Sequence, residues 1–385
     1  MRSSATPSAG TPRNAPWKLA GGHNEWIRRM ETWKEYKYNE LFNWCSGKPF
    51  LKEGSKYPVY GSNGIIGYSD ISNFENRIIL GRVGAYCGSV NYYDKSFYAT
   101  DNTLVTECDE SKITYKYAYY LLTQSKLNSF AGGAAQPLIT QSILKHLKCA
   151  IPPLPTQQKI ASILSTYDNL IQNYKKQIED LQTCASELYK EWFVRFRFPG
   201  YQTAQFENGI PVGWKVEKLG NLANISTGKC NREDAEEDGI YPLFDRSQEI
   251  KKSSEWIKDC EAIIVPGEGT SFIPRYYKGK FNLHQRCYCV EPKLQNFGIY
   301  LFYVLMLNRK YFLSVATGAT VPSLRYNNFA SMKFVLPELS LCKKFNTIAD
   351  SIFNKVDNLN KQITNLTQQR DLLLPRLMSG KLEVK

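Results

Sequence analysis

A chain of 385 residues has room for two or three domains, each able to bury a core without disulfides or metal. Forty-nine Lys and Arg against 36 Asp and Glu leave a net charge of +13, an excess that attracts polyanions and makes any nucleic-acid affinity salt-dependent. No apolar run approaches the roughly 20 residues that cross a bilayer, so no membrane partner is expected. Ten scattered cysteines without a CxxC pair suit free thiols in a reducing cytosol better than a zinc or disulfide frame. Cys287 and Cys289, one residue apart in a strand-like segment, are expected on opposite faces.

Residues 1–24 contain no acid and are rich in Ser, Ala, Pro and Gly, which reads as a disordered or appended extension. An Arg-bearing transit helix there would be interrupted by Pro7, Pro12 and Pro16. From residue 25 the chain is written twice. Tyr57-Pro58-Val59-Tyr60 returns as Tyr241-Pro242-Leu243-Phe244, an offset of 184. Arg77 to Gly84 (RIILGRVG) returns as Ala262 to Gly269 (AIIVPGEG), and Leu147 to Pro152 as Met332 to Pro337, both at 185. A period of half the chain implies two copies of one architecture.

Each copy alternates short β-branched and aromatic segments with Gly, Asn, Asp and Ser turns, and adds one helical segment, around Tyr115 to Leu127 and around Tyr300 to Tyr311. Then the period changes. Ile160, Ile163, Tyr167, Leu170, Tyr174, Ile178, Leu181 and Leu188 recur at helical steps, as do Phe345, Ile348, Ile352, Val356, Leu359, Ile363, Leu366 and Leu373. Each helix is about 38 residues, or roughly 57 Å, and the two seams most simply pair with each other. If the copies are related by a twofold axis, that pairing is an antiparallel coiled coil; the alternative is that each helix packs on its own globule. The fold class is α+β: two tandem, strand-rich mixed α/β domains, each followed by a long helix, with a pseudo-twofold internal repeat. The expected divisions are 25–152, a helix over 153–196, 207–337 and a helix over 338–385.

Enzymatic signatures are missing. There is no GxxxxGK[ST] loop and no GxGxxG after a strand, and His23, His146 and His284 stand outside any zinc-ligand spacing, so no catalytic residue, metal or cofactor is expected. The globules offer basic, amide and aromatic residues beside glycine turns. Ser62 and Asn63 lie on one turn, and Asn is able to bind adenine bidentately; Arg82 stands between glycines where backbone can approach phosphate. The matching turn of the second copy holds Arg246, Ser247 and Gln248, with Arg275 and Arg286 flanking later strands, types suited to guanine and adenine edges. Tyr86, Gln136, Lys229 and Arg325 complete the candidate DNA contacts. Ordinary turn chemistry would account for the same residues.

Three strings carry a family resemblance. Ile151-Pro152-Pro153-Leu154-Pro155-Thr156-Gln157-Gln158-Lys159-Ile160 resembles the junction, Gly209-Ile210-Pro211-Val212-Gly213-Trp214 the opening phrase and Leu373-Leu374-Pro375-Arg376-Leu377-Met378-Ser379-Gly380-Lys381-Leu382 the ending of type I restriction-modification DNA specificity subunits. The resemblance covers about residue 30 to the end, with a weaker second junction at Leu336 to Leu341. It implies two target recognition domains spaced by conserved helices in an antiparallel coiled coil and reading a bipartite duplex sequence. It also implies partners: double-stranded DNA, two DNA adenine methyltransferase (M) subunits and restriction/translocase (R) subunits, in a bacterial or archaeal cytoplasm at the nucleoid. Two other classes stay open: a lone DNA-binding regulator on the same scaffold, and an enzyme whose site is not recognisable from motifs.

Overall fold

The computed structural model describes residues 32–50, 53–132 and 137–384; the extension 1–24 and Gln136 lie outside them. The chain divides into two compact units, the first running to Gln172 and resuming at Ile363, the second spanning Asn173–Gln362.

In the first unit the strands are β1 (Lys34–Lys37), β2 (Phe42–Ser46), β3 (Tyr57–Gly61), β4 (Gly64–Ser69), β5 (Phe74–Gly81), β6 (Val90–Ala99), β7 (Thr103–Cys108) and β8 (Lys148–Ile151). β1 pairs with β8, and the rest form one sheet in the order β2-β7-β5-β6-β3-β4, antiparallel except for β3 beside β6. Ile78, Ile79 and Leu80 are all fully buried because β5 is central and both its faces are covered. Ile78 and Leu80 enter the main core with the helix Tyr115–Gln124, while Ile79 enters a smaller cluster with Tyr60, Phe97 and Val105.

The second unit opens with the hairpin β9 (Phe206–Glu207) and β10 (Ile210–Pro211), followed by β11 (Lys215–Lys218), β12 (Ala223–Thr227), β13 (Tyr241–Phe244), β14 (Lys251–Ser253), β15 (Lys258–Pro266), β16 (Arg275–Leu283), β17 (Cys287–Pro292) and β18 (Lys333–Leu336). β11 pairs with β18, and the sheet order is β12-β17-β15-β16-β13-β14, again with one parallel pair, β13 beside β16. The written repeat is thus a repeat of topology. Ile263 and Val265 enter the main core with the helix Gly298–Leu307; Ala262 and Ile264 enter a smaller core with Phe244, Phe281, Cys287 and Cys289. The expectation that Cys287 and Cys289 face apart is therefore corrected. Strand side chains alternate with period two, so residues i and i+2 share a face.

Each copy ends in a 40-residue helix, Leu154–Phe193 and Leu339–Met378. Within the first unit, Ile160, Ala161 and Leu164 of the first long helix share a core with Leu373, Leu374, Leu377 and Met378 of the second. Arg370 Nη1 donates to Asp168 Oδ1 at 2.7 Å, and Tyr120 donates its hydroxyl to Oδ2 at 2.6 Å. Rising numbers on one helix thus meet falling numbers on the other, an antiparallel contact. Within the second unit, Tyr189, Trp192 and Phe193 surround Phe345 at ring distances of 5.3–6.1 Å.

The three family strings have local physical roles. Gly209 and Gly213 adopt φ of +80° and +90°, which a side chain would strain, and they turn the chain so that Trp214 packs on Phe193, Phe196 and Phe198. Gly380, at φ +69°, ends the second long helix just after Leu377 and Met378 are buried. Gln157 is fully buried: its Oε1 accepts from Thr114 N at 3.0 Å, and its Nε2 donates to Lys112 O and Pro152 O at 2.8 and 2.9 Å. That amide satisfies the start of the helix Tyr115–Gln124. Asn346 does the same in the second unit, accepting from Tyr300 N at 3.1 Å and donating to Asn296 O.

Candidate nucleic-acid interface

In each unit the candidate contacts gather where the β3-type and β5-type strands end. In the first, the Ser62 hydroxyl donates to Asn102 O at 2.7 Å and accepts from Val83 N at 3.3 Å. Ser89 Oγ returns to Ser62 O at 2.7 Å, and Arg82 N donates to Asn102 O at 2.9 Å. Ser62 is therefore a cross-brace that joins three loops, while Asn63 and Tyr86 beside it are exposed. Arg82 is half-buried, and its Nε has no hydrogen-bond partner among the described residues. Gly81 is required here, since a Cβ would lie 2.6 Å from Tyr86 O and 2.7 Å from Ser62 O.

The corresponding end of the second sheet is built from charges. Arg246 Nη1 donates to Glu268 Oε2 at 2.7 Å, and Arg286 Nη1 donates to Glu268 Oε1. Glu268 is 15% exposed, the two arginines 46% and 56%. Partial burial pushes the Glu268 carboxyl up, but hydrogen bonds and charge from Arg286 and then Arg246 hold it below the usual range. His284 is buried, and its Nδ1 accepts from Arg286 N at 3.0 Å, so the neutral ring carries its proton on Nε2. Burial and the neighbouring arginines push its pKa down. Gln285 Nε2 donates to Asn231 Oδ1 at 2.5 Å, tying in the loop that carries exposed Lys229.

Arg275 serves the fold of that turn. Its guanidinium lies 5.0 Å from the Phe244 ring and donates to Ser247 O at 2.8 Å and Asp245 O at 2.5 Å. Burial alone would raise the Asp245 carboxyl, yet the Lys251 ammonium at 2.8 Å and the Ser247 hydroxyl and N–H hold it at about 2. Ser247 is thereby engaged, whereas Arg246, Gln248 and Arg325 are exposed. Arg325 follows Leu324, whose N–H donates to Gly267 O at 2.8 Å, so it belongs to the same end of the sheet.

Glu268 and Gln285 were not among the residues singled out from sequence, and His284 was named there only as standing outside any zinc-ligand spacing. Glu268 stands in the AIIVPGEG block where the first copy has Val83, and that exchange of a valine for an acid within a matched block is the signal that marks it. On the long helices, Ile160, Phe345 and Leu359 are buried and Tyr167, Tyr174, Ile178, Leu181, Leu188, Ile352, Val356, Ile363, Leu366 and Leu373 half-buried. Ile163, Leu170 and Ile348 are 37%, 36% and 45% exposed. Among the described residues no group of His, Cys, Asp and Glu is placed to hold a metal, and no helix is long and apolar enough to cross a membrane.

The family model of the type I restriction modification DNA specificity domain matches residues 30–183 and 211–369. The chain belongs to this family. Among relatives of the specificity-domain family, the type I restriction enzyme MjaIX specificity subunit of Methanocaldococcus jannaschii is 28% identical over 306 residues, 71% of this chain and 70% of the relative. The MjaVIII specificity subunit of the same organism is 26% identical over 384 residues, 92% and 88% of the two chains. The crystal structure of the type I restriction-modification S subunit from M. genitalium superposes with a TM-score of 0.63 at 21% identity, covering 94% of this chain and 98% of that one, and so shares its fold.

Proposed function

We propose that this chain is the DNA specificity subunit of a type I restriction-modification complex and carries no catalytic site of its own. Its two target recognition domains, 25–152 and 207–337, each read one half of a bipartite duplex sequence. The helices over 153–196 and 338–385 space them as an antiparallel coiled coil and dock two adenine methyltransferase subunits, to which restriction subunits add. The complex works in a bacterial or archaeal cytoplasm, at the nucleoid. The observation that carries this reading is one sheet topology used twice, with different side chains at equivalent strand ends: Ser62 and Asn63 in the first unit, Arg246 and Ser247 in the second. Two readers of two half-sites need that combination of shared scaffold and divergent tips. Phosphate contacts from the basic surface supply affinity, and a few tip residues supply specificity.

The test is adenine-methylome sequencing of a host carrying the cognate methylase, with and without this chain. A split adenine motif that disappears with the chain is the expected result. An unchanged methylome would favour a regulator that binds DNA without methylase partners.

A further inference from the structure

Of everything at the two sheet ends, the Arg246–Glu268–Arg286 cluster is the feature that phosphate binding does not explain. Attraction to a polyanion needs only positive charge, and an acid between two arginines cancels half of it. Holding a carboxylate 15% exposed also costs desolvation. Such an acid is useful where direction matters more than charge. Each of its oxygens takes one Nη of one guanidinium, which removes side-chain freedom while leaving the remaining N–H donors of both half-exposed arginines for a ligand. The backbone beneath is equally constrained. A Cβ on Gly267 would lie 2.7 Å from Arg286 O, Gly267 N donates to that oxygen at 2.8 Å, and His284 N donates to Phe244 O at 2.9 Å. The segment just after β15 that bears Glu268, the turn bearing Arg286 and the turn bearing Arg246 are thus locked side by side. In the first unit the matched positions are Val83, Asn102 and Ser62, so nothing comparable is built there.

We infer that Glu268 is a positioning residue that aims Arg246 and Arg286 at a base edge, and that the half-site read by the second domain contains a G·C pair. Guanine is the base whose O6 and N7 both accept in the major groove, the pattern that an oriented guanidinium fork matches bidentately. The inference rests on the specificity-subunit reading.

The experiment is selection from a randomised duplex library by the assembled methylase complex, using the wild-type chain, Glu268→Gln, Arg246→Lys and Arg286→Lys. For the wild type we expect a bipartite motif with at least one G·C pair whose replacement costs roughly 5- to 150-fold, the range for one bidentate contact. Glu268→Gln flattens the preference at that pair while leaving the other half-site sharp, and it leaves binding to unselected duplex unchanged or tighter, since a negative charge is lost. General structural damage would weaken both. Arg246→Lys or Arg286→Lys, which keeps the charge and removes the fork, flattens the same pair, and 7-deazaguanine there reproduces the loss in the wild type. A motif without any G·C pair, or variants that leave every G·C preference intact, overturns the inference while the specificity reading stands. Absence of any selected motif with the wild-type chain overturns both.

Discussion

Removing Asp168 tests how the second long helix is tied to the first unit. The carboxylate accepts from Arg370 Nη1 at 2.7 Å and from the Tyr120 hydroxyl at 2.6 Å. Tyr120 is only 4% exposed, so Asp168→Ala strands a buried hydroxyl, a cost of about 1–3 kcal/mol. The ion pair, at 25% and 27% exposure, adds about 1 kcal/mol after solvent screening. The sum is about 2–4 kcal/mol. Arg370→Ala should cost less, about 1 kcal/mol, because Asp168 keeps Tyr120 and is left only partly desolvated. Adding Tyr120→Phe to Asp168→Ala should restore part of the loss, since it removes the stranded group. The assay is hydrogen exchange of the amides of Tyr115–Gln124 across a urea series, a reporter inside the same unit. Equal costs for Asp168→Ala and Arg370→Ala, or no recovery with Tyr120→Phe, would refute the reasoning.

His284 predicts a pH dependence confined to the second unit. Its folded pKa lies below the ordinary imidazole value of 6.5, so its contribution is fully present above that value and is lost as pH falls through it, while the unfolded chain takes up a proton that the fold resists. Urea midpoints measured from pH 8 to pH 5 should fall below about 6.5 in the wild type and fall less in His284→Gln; identical slopes would count against the Nδ1 contact. The buried amides give a paired prediction: Gln157→Leu should cost about 2–4 kcal/mol by stranding an N–H and two carbonyls. Asn346→Leu should act in the same direction, and loss of exchange protection at Thr114 N and Tyr300 N, respectively, is the signature to look for.

Much of the architecture was legible because it is written twice. An offset that stays at 184 or 185 through strand, turn and junction blocks leaves little freedom for two different folds, and both sheets share one order. The long helices were legible from their period, but not which residues face inward. Ile163, Leu170 and Ile348 sit at helical spacing yet remain substantially exposed, because a seam along 40 residues drifts and the burying neighbours are not local in sequence. Gln157 and Asn346 read as ordinary polar residues until Thr114 and Tyr300 are placed beside them. Arg275 shows the same limit from the other side: an arginine flanking a strand suits a base contact by type, but Phe244, Asp245 and Ser247 engage it within the fold.

The two sheet ends also show why tip chemistry can diverge while topology does not. Phe244 is 1% exposed and fixed by its core, yet Arg246, two residues on, is nearly half exposed and contributes nothing to that core. Substitution at such a position leaves the sheet intact. The glycines do not share this freedom. Gly81 ends strand β5 and Gly267 directly follows β15, each so close to the backbone of the adjoining turn, 2.6 Å from Tyr86 O and 2.7 Å from Arg286 O for an added Cβ, that any side chain would displace the loop carrying the candidate contacts. Recognition can therefore change by replacing side chains around a fixed strand end: the second tip combines an acid at 268, where the first copy has Val83, with arginines at 246 and 286, where it has Ser62 and Asn102.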